Sequence, residues 1–396
     1  MNSVLLHLCL VLLVIFICRV SAVIVSCPEK YGCDCNTTTI KCHSSDPPAT
    51  TELDQKFFTD ELPDFILPTT THLIISGGNI PELFNNSFGV CAGDSSKSHR
   101  SLKEIVLRNN HITKIHGKAF HCVPNVVSLD LSLNNWTVSN INHAAIFSGV
   151  HKLKKLILTD SMKDNYSGKR HMRRLSAVFK NSVLSDLEEL YLGRNDLWTF
   201  TSDASSTLCQ VTKNLRILDL HSNNLAKLVF DSCFGQLNNL HLINLRNNSF
   251  IGVTMRTMKM FDKLYEKNQN FAVDFRDNQW DCDCNLVDFT KWLRTTKVTI
   301  RGKQNMTCHD GLNFGKYLFE IPSSDLICVA VAPAQTANAG VIVVSILLAI
   351  ICCVVIGIVI IKRNSIMSTI SGFKKSYFAK DTQFSYASVN NSNVDV

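Results

Sequence analysis

The stretch Leu187-Glu188-Glu189-Leu190-Tyr191-Leu192-Gly193-Arg194-Asn195-Asp196-Leu197 sets apolar residues at three fixed offsets before an asparagine and another after it. The spacing returns in Leu215, Leu218, Leu220, Asn223 and Leu225, and in Leu240, Ile243, Leu245, Asn248 and Phe250. Toward the amino terminus it is filled by Leu102, Ile105, Leu107, Asn110 and Ile112, then by Val126, Leu129, Leu131, Asn134 and Trp136. Weaker copies carry Gly78 after Leu73 and Ile75, Ser161 after Leu153, Leu156 and Leu158, and Asn278 after Val273 and Phe275. The polar positions fall at 78, 110, 134, 161, 195, 223, 248 and 278, eight frames in one register. In each apolar-x-apolar triplet the outer residues point to one side of a short strand and the middle residue to the other. The asparagine amide can bond free backbone groups where the chain leaves the strand, so successive asparagines should form a ladder.

This is the leucine-rich repeat pattern, in which no turn buries its apolar edge alone and the turns must stack. The sequence therefore predicts an α/β leucine-rich repeat solenoid of about eight frames with a parallel β-sheet on its concave face. The 396 residues would otherwise suggest two or three globular domains; the repeat replaces that division. The expected order is a signal peptide over 1–22, a cysteine-rich cap over 23–60, repeats over 61–278 with a polar insertion near 160–185, and a second cap over 279–328. A stalk over 329–338, a transmembrane helix over 339–361 and a short disordered cytoplasmic tail over 362–396 complete it.

The apolar run from Val4 to Cys18, followed by Ser21-Ala22, reads as a signal peptide cut after Ala22, with an uncleaved anchor as the alternative because the basic leader is missing. Ala339 to Ile361 contains no charge over 23 residues. As a helix that is about 34 Å, enough for a bilayer of roughly 30 Å. Lys362 and Arg363 follow directly, which predicts a single-pass type I protein at the plasma membrane with its amino terminus outside. The net charge of +7 includes a tail with five bases and two acids, and the ectodomain is close to balanced with 34 bases and 31 acids. The basic balance is thus a topology signal with no nucleic-acid meaning.

The secretory route assigns cysteines to disulfides before metals. Of 16 cysteines, Cys9 and Cys18 lie in the signal segment and Cys352 and Cys353 in the span, leaving twelve. Cys91 and Cys122 lie 13 and 12 residues after their ladder positions, so stacked turns should bridge them; Cys209 and Cys233, at 14 and 10, are a looser match. Cys27, Cys33, Cys35 and Cys42 precede the repeats, and Cys282, Cys284, Cys308 and Cys328 follow them. Spacing alone leaves three pairings open in each set, and zinc on Cys282, Cys284, Cys308 and His309 competes with the second. The clusters resemble the caps of extracellular leucine-rich repeat proteins. That resemblance implies Cys27–Cys35, Cys33–Cys42, Cys282–Cys308 and Cys284–Cys328.

The run Asp281-Cys282-Asp283-Cys284-Asn285-Leu286-Val287-Asp288-Phe289-Thr290-Lys291-Trp292-Leu293, with Thr307-Cys308 and Ser324-Asp325-Leu326-Ile327-Cys328, resembles the trophoblast glycoprotein family. The polar interruption from Asp160 to Ser185, the single span and the terminus Asn393-Val394-Asp395-Val396 are similar too. The chain departs from the family at Gln279, where its cap has proline, and in the two repeat cysteine pairs. The resemblance implies a cell-surface glycoprotein that inhibits Wnt/β-catenin signalling at the Wnt co-receptor, through the first cap and first repeat. It carries over a lysine as Lys41 and places Ile74 where the family has an exposed aromatic.

Independently of family, the concave face should present the residues between the core positions. Arg108, Tyr191, Arg246 and Arg276 are binding candidates because tyrosine and arginine are enriched at hot spots; pairing with neighbours, as of Asp274 with Arg276, is the competing role. Asn36, Asn85, Asn135, Asn165, Asn247 and Asn305 begin extracellular glycosylation sequons, and a glycan on Asn247 would cover the concave face and favour binding nearer the amino terminus. The run Lys169 to Arg174 is a candidate heparan sulfate site. In the tail, Tyr386 and Val389 have the spacing of an endocytic sorting signal, and Val394, Asp395 and Val396 the form of a PDZ ligand. No catalytic motif, metal set or cofactor fingerprint stands out, so the expected function is protein binding, with cell adhesion or synaptic organisation as the alternative to Wnt inhibition.

Overall fold

A computed structural model describes residues 27–44, 51–91, 98–137, 146–162, 175–176, 178–179, 182–310, 312–328 and 339–378. They form two units, one ending at Cys328 and one beginning at Val329. The first is a solenoid built on an eleven-stranded sheet.

Its strands are β1 (Cys33–Cys35), β2 (Thr39–His43), β3 (His72–Ser76), β4 (Glu104–Arg108), β5 (Ser128–Asp130), β6 (Lys155–Ile157), β7 (Glu189–Tyr191), β8 (Ile217–Asp219), β9 (Leu242–Asn244), β10 (Ala272–Asp274) and β11 (Thr299–Arg301). They pair in sequence order, all parallel except the β1–β2 hairpin. Strands β3 to β10 are the eight repeat frames. The caps supply the other three, because each cap places a strand against an otherwise open sheet edge and removes an unpaired row of backbone groups. The central residue of each three-residue repeat strand, such as Leu129, Leu190, Leu218 and Ile243, is fully buried.

The ladder works by one repeated exchange. Asn195 Oδ1 accepts from the backbone N–H groups of Ser161 and Met162, and its Nδ2 donates to the carbonyl of Leu158. Asn223 repeats the pattern against Asn195, Leu197 and Leu192, and Asn134 against Asn110, Ile112 and Leu107. Each asparagine thus satisfies groups that the preceding turn leaves open. At Ser161 the short hydroxyl bonds only its own turn, at Leu158, and the backbone N–H of Trp136 reaches the Ser161 carbonyl instead. Gly78 occupies the first ladder place because the amino-terminal cap crosses there. A Cβ at residue 78 would lie 2.7 Å from the Leu53 carbonyl oxygen. The residue before each ladder position, Gly77, Asn109, Leu133, Asp160, Arg194, Ser222, Asn247 and Asp277, turns through positive φ in all eight frames.

On the convex side aromatic rings link the turns. Phe58 meets Phe88 and Phe88 stacks on Phe120; Phe147 stacks on Phe179; Phe200, Phe230 and Phe261 continue toward Phe275, Trp280 and Phe289. The later turns fill this side with α1 (Ser202–Val211), α2 (Met255–Lys267) and, in the second cap, α3 (Val287–Thr295). Thr201 and Thr254 cap the first two by accepting backbone N–H bonds.

Three boundaries differ from the sequence expectation. The first cap does not stop at residue 60: a π-helical turn over Phe57–Glu61 runs into a helical turn over Leu62–Phe65, and Leu53, Phe57, Phe58 and Leu62 enter the core together. The segment expected as a polar insertion contributes Leu175, Val178, Phe179 and Leu184 to the core, since the apolar residues at its end recur at convex-side spacing. The described residues of the second unit form one helix, α4 (Ala339–Phe378), with an apolar segment over Val344–Asn364 long enough to cross a membrane. Helix α4 continues 16 residues past the expected start of the disordered tail at 362, because no proline interrupts the backbone ladder there.

Six disulfides join Cys27–Cys35, Cys33–Cys42, Cys91–Cys122, Cys209–Cys233, Cys282–Cys308 and Cys284–Cys328. The zinc alternative keeps only His309 of its four ligands in this arrangement, since Cys282, Cys284 and Cys308 are all bridged.

Candidate functional site

The in-register sheet sorts its outward side chains into rows that run across the strands. One row reads Lys41, Ile74, Val106, Asp130, Ile157, Tyr191, Asp219, Asn244, Asp274 and Arg301. Neighbours in such a row stand about 4.8 Å apart. Lys41, Ile74 and Val106 are therefore consecutive, a cation beside two β-branched apolar residues, and Arg108 lies on the same strand as Val106 with Ser76 as its partner. His43 closes this corner, its Nδ1 2.9 Å from Ser76 Oγ.

Tyr191 lies farther along. Its hydroxyl donates to Glu189 Oε2 at 3.0 Å, Lys155 Nζ pairs with Glu189 at 3.3 Å, and the same ammonium sits 5.3 Å from the Tyr191 ring centre. Burial, and then the adjacent Glu189 carboxylate, push the phenol up to about 12. Tyr191 is thus a neutral donor at physiological pH, already engaged with its own strand.

The carboxy-terminal third is a set of self-satisfied ion pairs. Asp219 Oδ1 lies 2.5 Å from His221 Nδ1, and Asn244 donates to Asp219 Oδ2 at 2.9 Å. Arg276 grips buried Asp274 through Nη2 at 2.6 Å and Nε at 3.0 Å, and Arg246 pairs with Asp277 at 2.6 Å. Burial pushes the Asp274 carboxyl up, but the Arg276 hydrogen bonds and the charges of Arg276 and Arg301 outweigh it and hold the group below its ordinary range. Of the four hot-spot candidates, Tyr191, Arg246 and Arg276 spend their polar groups on neighbours. The amino-terminal corner, where Lys41, Ile74 and Arg108 come together, is chemically the freer part of the face.

A further outward row, in which His72 faces Glu104 at 3.8 Å and Lys155 faces Glu189, is absent from the sequence expectation. Its signal is the residue two before a concave position, as Glu189 stands two before Tyr191. Gly193 lies beneath the His221 ring, which occupies the place where a Cβ would sit.

The sequon residues Asn36, Asn85, Asn135, Asn247 and Asn305 are exposed. Asn247 sits at the sheet rim with Nδ2 donating to Ser222 Oγ. Asn165, the basic run 169–174, Tyr386, Val389 and the terminus Val394 to Val396 lie outside the described residues.

A leucine-rich repeat family model matches residues 82–136 and 100–162. In sequence the chain is similar to trophoblast glycoprotein of Macaca fascicularis, 28% identical over 244 residues, covering 59% of this chain and 55% of that protein. It is also similar to trophoblast glycoprotein of Mus musculus, 28% identical over 192 residues, covering 48% and 42% of the two chains. The chain thus spans about half the length of the curated relatives it matches. The crystal structure of human 5T4, described as Wnt-activated inhibitory factor 1 and trophoblast glycoprotein, superposes with a TM-score of 0.61 at 24% identity. It covers 77% of this chain and 100% of that one, and shares its leucine-rich repeat fold.

Proposed function

We propose that this chain is a noncatalytic, single-pass cell-surface glycoprotein, amino terminus outside, that binds a protein partner through its concave sheet and inhibits Wnt/β-catenin signalling at the Wnt co-receptor. The observation that carries the reading is the juxtaposition of Lys41, Ile74 and Val106 at the amino-terminal corner, in a chain similar to a protein described as Wnt-activated inhibitory factor 1. A cation flanking an apolar pair offers what a partner's acidic and apolar side chains need, while Tyr191, Arg246 and Arg276 are engaged with Glu189, Asp277 and Asp274. The tail ending Val394-Asp395-Val396 serves as a PDZ ligand in this reading, and Lys169 to Arg174 as a heparan sulfate contact.

The test is a Wnt reporter assay in cells expressing the intact chain, beside a version with Lys41→Glu and Ile74→Asp. Reduced reporter output with the native chain, restored by the double substitution at equal surface level, supports the reading. Unchanged output accompanied by cell clustering would replace it with adhesion.

A further inference from the structure

The second cap ends in a hairpin whose tip is more exposed, for its hydrophobicity, than any other part of the described chain. Leu312 is 78% and Phe314 73% exposed, the two highest values among the large hydrophobic side chains of the described residues, above Val90 at 71%. The described residues on either side of Gly311 are tied to the cap by hydrogen bonds. Cys308 donates its backbone N–H to the Lys316 carbonyl and accepts from Gly315, Lys316 N–H closes a turn onto Asn313, and Thr307 bridges Tyr317 antiparallel. Cys308 is itself bridged to Cys282. Buried Asn313 anchors the tip to the end of the unit, donating from Nδ2 to the Asp325 carbonyl at 2.9 Å, and Lys316 Nζ is tied to Asn313 Oδ1 at 3.0 Å. Exposed Ile327 lies two residues beyond Asp325.

This placement coincides with the chain's exit toward α4. Ten residues, 329–338, separate Cys328 from Ala339. Fully extended, the connection spans at most about 38 Å, so the cap that carries the tip is confined near the surface of any bilayer that α4 crosses. Among the described residues 312–316 the one cation is Lys316, tied to Asn313; exposed apolar and aromatic side chains suit the headgroup and acyl boundary of a zwitterionic leaflet, whereas binding to anionic lipid would need an array of free cations. The sequon at Asn305 precedes the Thr307–Tyr317 bridge that closes the hairpin, so a glycan there leaves from the end opposite the tip.

We propose that the hairpin tip, through Leu312 and Phe314, inserts into the outer leaflet of the membrane that anchors the chain. Tethering makes a two-residue insertion effective, because it replaces a bimolecular encounter by an intramolecular one. The proposal rests on the reading that α4 spans the membrane with the repeats outside.

The experiment uses the full-length glycosylated chain reconstituted in phosphatidylcholine vesicles, with Phe314→Trp or Leu312→Trp as reporters and Val90→Trp as the exposed control. Emission of the unsubstituted chain, with its own four tryptophans, is subtracted. With phosphatidylcholine brominated near the glycerol end of its acyl chains, the tip reporters are expected to be quenched severalfold more than Val90→Trp. If alkaline carbonate releases the chain from the vesicles, the membrane reading itself fails and this proposal with it. If the chain is retained and the tip reporters are quenched no more than the control, the tip proposal alone is overturned.

Discussion

Lys41 of the cap strand and Ile74 of the first repeat strand are register partners in one continuous sheet, so a residue of the disulfide cap belongs to the same surface as the repeats. That partnership makes the cap part of the concave sheet surface as well as a cover for the apolar edge.

Reversing the charge at Lys41 and the polarity at Ile74 together is expected to weaken partner binding at least about tenfold, the loss of one moderate hot spot. Ile74→Tyr, which restores an aromatic at that place, should strengthen binding. Surface plasmon resonance against the co-receptor ectodomain measures both; equal affinity for all three chains would remove this corner from the interface.

Asn195→Ala strands two buried N–H groups, at Ser161 and Met162, while the Leu158 carbonyl keeps the Ser161 hydroxyl. The expected cost is about 2–4 kcal/mol, read from denaturant midpoints of the ectodomain. Asn278 serves one N–H of the preceding turn, at Phe250, and is only part-buried, so Asn278→Ala should cost less.

Two glycines should respond differently to alanine. At Gly78 the new Cβ meets the Leu53 backbone at 2.7 Å, which cannot turn away, and about 1–3 kcal/mol is expected. At Gly193 the obstacle is the His221 ring, which can rotate. Gly193→Ala should leave the melting temperature nearly unchanged while displacing the ring from Asp219, visible as a changed His221 imidazole resonance.

Leu133 holds φ 54° with 36% exposure, a backbone state that leucine disfavours and asparagine tolerates. Leu133→Asn is expected to raise stability by about 1 kcal/mol. A lower melting temperature would mean that the leucine side chain contributes more through contacts than its backbone costs.

The Asp274–Arg276 pair sets a pH dependence with a definite sign. The folded carboxyl lies below its ordinary value of 3.8, so its contribution is full above that value and is lost as pH falls through the lower folded one. Unfolding free energy of the native ectodomain should therefore drop more steeply through this acid window than that of Asp274→Asn.

The repeat spacing was sufficient for the architecture because it is a local signal: eight frames with the same offsets admit one way of burying their apolar edges. Leu190, Leu218 and Ile243 could be placed in the core, and Asn195 and Asn223 in the ladder, from offsets alone. The phenylalanine column from Phe58 to Phe261 was harder to read, since convex segments vary in length and their rings meet only once the turns are stacked. The polar segment after Asp160 hid Leu175, Val178 and Phe179 for the same reason.

What the sequence determined by itself was the solenoid, the apolar span and the side of the sheet to which the residue between each inward pair points. What tertiary structure decided was which of those side chains remain available. Arg246, Arg276 and Tyr191 have the composition of hot spots, yet Asp277, Asp274 and Glu189 satisfy them. Asp274 and Glu189 stand two residues from their partners, so the Asp274–Arg276 pair was open to a reading of the sequence, whereas Asp277 lies 31 residues from Arg246 and meets it only once the turns are stacked. The same limit applies to Leu312 and Phe314, which read as ordinary apolar residues until the Cys308 hairpin holds them clear of the core.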